Sequence, residues 1–302
     1  LHLSILCNYP HYTATYQLLM VEGKARQLLA TSCVMLGVLL VTALYQDALW
    51  ALVMRLYLSL SVHHYASQNF GIAVLYGHRG GQPLTPGEKR WMQGSFLGLA
   101  LFMILSVNTS FGYINGNAGG TIDLIQGAQV PIAGFPAWIY RVSLVVCVAS
   151  FWAFVRMAHR YRTRTGAHLP LAVFSLFATN AAWFIIPNLL LPSGAGLVRP
   201  ELSLMLLGAT PFFHCAQYLF VTFDRNRQAR PTRPIWLYVG LVATGFILFH
   251  APLPVLPTLL SLEPLKSMFL LVAVINIHHF WIDGLIWRKR SANKPRTTSD
   301  SA

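Results

Sequence analysis

Acidic residues are scarce in this chain. Nine Asp and Glu stand against 22 Lys and Arg, a formal charge of +13, and charged residues make up only 10% of the 302. Soluble domains average about 25% charged. So few charges cannot cover a water-facing surface, which excludes a soluble enzyme. Glycine shows no period and apolar content is high, which excludes collagen-like repeats and disorder. Cysteine is sparse as well. Cys7, Cys33, Cys147 and Cys215 form no CxxC pair, so a zinc ribbon or thioredoxin-like motif is absent. No repeat of 20–50 residues runs through the chain, no signal peptide is legible, and no Gly-rich nucleotide loop or GxSxG elbow stands out.

What the chain has is long apolar runs, with 55% hydrophobic residues. A membrane helix needs ~20 mainly apolar residues. Eight segments qualify: 27–45, 48–77, 93–113, 136–158, 169–191, 202–223, 234–251 and 265–287. Residues 1–22 read as the inner part of a ninth helix that begins before Leu1. The expected fold is all-α: a polytopic transmembrane helical bundle of 8 full spans plus this partial N-terminal span. Residues 1–290 are expected to form one helical domain and 291–302 a flexible cytoplasmic tail.

Basic residues alternate between the loops. Lys24 and Arg26 precede the first span; Arg79, Lys89 and Arg90 follow the second; Arg156, Arg160, Arg162 and Arg164 end the fourth. Arg225, Arg227, Arg230 and Arg233 follow the sixth, and Arg288, Lys289, Arg290, Lys294 and Arg296 follow the eighth. The positive-inside rule places these ends, and the C-terminus, in the cytoplasm. The net charge is thereby explained without nucleic acid. Residues 114–135 form the longest outer loop and are rich in glycine, which suits a flexible surface or a re-entrant lid. Gly94 and Gly98 form a GxxxG helix-packing pattern.

Six of the eleven histidines fall in or beside apolar segments: His11, the pair His63 and His64, His214, and the pair His278 and His279. An ionisable residue inside a span is costly and is by default a functional candidate. From His11 to Lys24 is 13 residues, from His64 to Arg79 is 15, from His214 to Arg225 is 11, and from His279 to Arg288 is 9. At the rise of an α-helix these are depths of roughly 14–22 Å, on four segments that all run inward. The four clusters therefore share one layer. Gln68 lies at i+4 from His64, Asp283 at i+4 from His279, and Gln217 at i+3 from His214, each on one face with its histidine.

Neutral imidazoles with one carboxylate and amides suit a nitrogen- and oxygen-ligated divalent metal: Fe, Zn, Cu or Ni. The metal ligands read from this pattern are His11, His63, His64, His214, His278 and His279. Neighbours diverge by about 100° on a helix, so both members of a pair ligate only with two metals or a wide cavity. Asp283 is the catalytic carboxylate, a ligand or an orienter of His279. Gln68 and Gln217 support the ligands. Tyr65, Tyr218, Phe280 and Trp281 could line an apolar pocket. A haem held by two histidines stays open beside the metal site, as does a proton or ion pathway.

The segments Asn8-x-Pro10-His11, His64-Tyr65-x-x-Gln68-x-x-Gly71 and His278-His279-x-x-x-Asp283-Gly284-x-Ile286-Trp287 resemble the ordered signatures of a group of uncharacterised bacterial His-rich polytopic membrane proteins. More remotely, the chain is similar to membrane-integral β-carotene-cleaving oxygenases of the bacteriorhodopsin-related-protein type. The HxxxH and HxxHH boxes of membrane desaturases and alkane hydroxylases are absent. The resemblance implies a multi-pass protein of the bacterial inner membrane. It also implies non-haem iron held by histidines from several helices, and oxygenase-like oxidation of a hydrophobic, lipid-borne substrate. Two other functions remain open: a metal-ion or proton-coupled transporter, and a membrane subunit that binds haem or a pigment.

Overall fold

A computed structural model describes residues 4–21, 23–80, 82–114, 121–123, 129–131, 135–190, 211–220 and 234–289. The tail 291–302, much of the loop 114–135 and the basic cluster from Arg225 to Arg233 lie outside the described residues.

The fold is helical. A π-helical turn (Ser4–Asn8) leads into α1 (Tyr9–Val21), followed by α2 (Ala25–Leu44), α3 (Gln46–Arg79), α4 (Pro86–Ile114), α5 (Ala137–Thr165) and α6 (Leu171–Leu190). Residues 211–220 are helical and are called α7 here. The chain continues with α8 (Pro234–His250), the short α9 (Leu256–Leu260) and α10 (Pro264–Lys289). Between α4 and α5, β1 (Thr121–Asp123) pairs antiparallel with β2 (Gln129–Pro131), Ile122 opposite Val130. Apolar periodicity over three residues is too short to announce such a pair.

Local chemistry sets the helix ends. Gly23 adopts φ +74, and the amides of Gly23 and Lys24 bond the carbonyls of Met20 and Leu19. That pattern is a Schellman motif and ends α1. Gly166, at φ +72, donates its amide to Arg162 and stops α5. At the start of α4, the Thr85 hydroxyl accepts the Glu88 amide at 3.2 Å, while Glu88 Oε2 accepts the Thr85 amide at 2.7 Å. This is a capping box, with Pro86 in the first turn where its missing N–H costs nothing.

Two apolar cores share α3. Its C-terminal half packs with α4, α5 and α6 around Met92, Phe96, Met157, Phe177 and Phe184. Its N-terminal half packs with α1, α2, α8, α9 and α10 around Met54, Phe249, Leu270 and Ile275. On α4, a Cβ at Gly98 would collide with the Ser150 hydroxyl of α5, while one at Gly94 would meet nothing. Of the GxxxG pair, Gly98 is therefore the residue at the helix contact.

Three described helical stretches are long and apolar enough to cross a membrane: Ala25–Leu44, Trp138–Thr165 and Pro264–Leu285. Leu171–Ile186 and Ile235–His250 are apolar but shorter. The count of eight full spans is finer than this. The 34 residues of α3 include Arg55, His63, His64, Gln68 and Asn69, and α4 opens on Glu88, Lys89 and Arg90, so both are long without being uniformly apolar. The outward faces are oily. Leu29, Val34 and Leu44 on α2, Val145, Val148 and Val155 on α5, and Ile235, Trp236 and Ile247 on α8 are all exposed.

Candidate metal centre

Four helices bring four histidines together. His11 stands in the first turn of α1, next to Pro10 and directly after the π-helical turn Ser4–Asn8. Helix α1 is strapped to α8. Thr13 donates its hydroxyl to the Leu241 carbonyl at 2.8 Å. Gly245 faces the Tyr9 backbone so closely that a Cβ there would lie 2.7 Å from the Tyr9 carbonyl oxygen. His64 sits near the middle of α3, His214 on α7 and His279 on α10. All four are buried, between 0% and 6% exposed.

One nitrogen from each of His11, His64 and His279 lies within 4.8 Å of the other two, a spacing from which they can close on a metal ion. Tetrahedral ligation at about 2.1 Å sets nitrogens about 3.4 Å apart, so closure takes a contraction of roughly an ångström. Ring centroids are 4.4 Å apart for His11 and His279, 5.1 Å for His64 and His279, and 6.4 Å for His11 and His64. His214 stands beside this trio, 4.9 Å from His64 and 5.2 Å from His11, but its nitrogens are not part of the convergent set.

Hydrogen bonding marks the cluster most sharply. His11 Nδ1, His64 Nε2, and both ring nitrogens of His214 and of His279 are buried with no hydrogen-bond partner. Leaving a buried polar atom unmet costs about 1–3 kcal/mol. His11, His64 and His279, the three that can close on one ion, each carry at least one such nitrogen.

The second members of the doubled pairs stand apart. His278 Nδ1 meets the Tyr16 hydroxyl at 3.0 Å and Nε2 meets the Thr31 hydroxyl at 3.0 Å, so both nitrogens tie α10 to α1 and α2. His63 is exposed on α3, on a different face from the buried His64. Neither belongs to the group of nitrogens that can close on one ion. The divergence of neighbours around the helix explains both placements.

Asp283 is 3% exposed, and its Oδ1 accepts the Tyr218 hydroxyl proton at 2.9 Å. The Tyr218 hydroxyl also meets Thr15 Oγ1 at 2.9 Å. Tyr218 is thus the middle of a Thr15–Tyr218–Asp283 chain, and its ring stands edge-on to His11 with centroids 4.4 Å apart. His279 makes no hydrogen bond through either nitrogen, so Asp283 does not orient it by one. Gln68 acts on the backbone: its Nε2 donates to the His214 carbonyl at 3.2 Å. Gln217 Oε1 is buried without a partner.

Aromatic rings wall the cluster. Phe280 stacks on His64 at 4.5 Å, and Tyr65 lies 4.4 Å from His214. Trp281 points outward, 60% exposed, and lines nothing here. Sequence reasoning passed over Tyr12 and Thr15. Tyr12 stands edge-on to His279 at 4.9 Å and donates its hydroxyl to Asn276 at 2.6 Å. Thr15 follows His11 by four residues, the same spacing that singled out Gln68 and Asp283.

No protein-family model, no curated protein and no solved structure matches this chain.

Proposed function

We propose that this protein is an integral membrane, non-haem metal oxidoreductase acting on a hydrophobic or lipid-borne substrate. The observation that carries the reading is the convergence of His11, His64 and His279, three buried imidazoles carrying nitrogens without hydrogen-bond partners. His11, His64 and His279 hold the metal. The donor set is nitrogen alone, without thiolate, which suits iron, zinc, copper or nickel; the proposal takes iron. Bound iron would supply one-electron and oxygen chemistry. The chain's own part is to orient the metal with three helices and to keep a proton at the Tyr218 hydroxyl, shared with Asp283 and Thr15. Phe280 and Tyr65 exclude water. The rings crowd one another from four directions, which argues against a slot wide enough for a porphyrin.

The lipid bilayer is the medium for this reading. Oily outward faces on α2, α5 and α8 support a place in a bilayer; the proposal adds eight spans plus the partial α1, with the basic loops and the C-terminus on the cytoplasmic side of a bacterial inner membrane. A substrate dissolved in lipid reaches a centre at that depth without crossing water. Metal analysis with an optical spectrum of the purified protein tests the reading. Stoichiometric iron without a Soret band is expected. A Soret band, or no retained metal, overturns it.

A further inference from the structure

We infer that the centre takes a small monoanion as its remaining ligand, and that His214 grips this anion rather than the metal. The inference rests on the metal-binding reading above and concerns what completes that site.

Charge is the first argument. A divalent ion held by three neutral imidazoles keeps its two positive charges. Asp283, the acid buried beside the cluster, already accepts the Tyr218 proton and is not among the groups that converge. Glu88, the other buried acid among the described residues, is bonded to Arg164. The three converging histidines bring no negative charge to a buried centre, where an uncompensated charge is costly. A monoanion lowers that charge.

Donors are the second argument. A neutral imidazole carries one N–H and one lone pair. His214 is 1% exposed and neither ring nitrogen has a partner. Its ring is wedged against Tyr65 and His64, and the Gln68 side chain holds its carbonyl. It thus stands next to the three convergent histidines but outside their set, with a buried N–H to give. An anion seated on the metal beside His214 would accept that N–H. One ligand then answers both the charge and the orphaned donor.

The test uses the full chain in detergent, loaded with Co2+, whose visible spectrum reports exogenous ligands, and titrated with azide. One cobalt per chain and a saturable azide shift are expected. His214→Leu should keep its cobalt but lose azide affinity by at least about tenfold, the worth of one hydrogen bond to a charged group. His214→Gln retains a side-chain N–H and should lose less. Asp283→Asn removes a negative charge and should tighten azide binding in the cobalt-loaded fraction. If His214→Leu loses cobalt as fully as His11→Leu does, His214 is a ligand and the inference falls. It falls equally if His214→Leu keeps cobalt and binds azide as the parent does. A parent that retains no cobalt, zinc or iron overturns the metal reading itself, a result separate from the other two.

Discussion

The α4–α5 side of the molecule and the α1–α7–α10 side each bury a carboxylate, and they treat it in opposite ways. Glu88 receives a two-pronged guanidinium: Arg164 Nε at 2.9 Å and Nη2 at 2.8 Å. Its Oε2 also closes the capping box of α4. Charge meets charge, and the arrangement fastens two helices. Burial raises the Glu88 carboxyl, but the bonds from Arg164 and Thr85 outweigh it and hold the group below the ordinary glutamate value. Asp283 instead accepts a neutral tyrosine hydroxyl. One acid fastens two helices, while the other stands beside imidazoles with unmet nitrogens.

The largest effect that would sharpen this contrast is on metal retention. His279→Ala removes a converging ligand and should weaken binding by more than about 100-fold, beyond what loss of a supporting group does. Metal content per folded chain measures it. Glu88→Gln should leave metal content unchanged while destabilising the α4–α5 contact by about 1–2 kcal/mol. That is the scale of charged hydrogen bonds, discounted because Arg164 is partly in water. Thermal unfolding in detergent reads this out. A Glu88→Gln protein that sheds its metal would erase the distinction between the two sides.

His278→Ala is the same contrast drawn between adjacent residues. It leaves Tyr16 and Thr31 without their partner, a loss of about 1 kcal/mol or slightly more. Metal retention should stay at the parental level, where the His279 change abolishes it. Equal metal loss from both would merge the two histidines into one role. The smallest effect is on pH. A carboxyl held below its unfolded value contributes stability that is complete above that value, about pH 4.3, and fades as pH falls through the folded one. The difference in stability between parent and Glu88→Gln should therefore be flat from pH 7 to about 5 and shrink in stronger acid. A difference that grows in acid would contradict the ion pair.

Much of the site was legible because membrane helices run straight. Residue counts from His11, His64, His214 and His279 to the next basic residue convert to depth, and equal depth on four helices suggests one layer. The helical period also warned that His278 and His279 could not both close on one ion, but not which one would. That choice depends on Tyr16 and Thr31 taking His278, contacts made across 262 and 247 residues. Likewise, the i+4 spacing put Asp283 on the face of His279 but could not reveal Tyr218, which arrives from α7, 65 residues earlier. Lateral partners depend on how helices pack, and hydropathy contains no term for that. The capping box at Thr85 and Glu88 was written in the chain as Thr-Pro-Gly-Glu and is strictly local. The pairing of β1 with β2 is too short for any periodic signal.

The doubled histidine on α10 has a consequence for assembly. Turned by a single residue, about 100°, this helix would present His278 inward and His279 to α1 and α2. The same two side chains would meet the same surroundings in exchanged places. Identical neighbours make the helix ambiguous about its own rotation. The Tyr16 and Thr31 hydroxyls act as a key: they meet the two nitrogens of one imidazole from two different helices, and so set the angle at which α10 docks. Neutral imidazoles exert little pull on one another. The setting of α10 is thus held from outside the cluster of His11, His64 and His279.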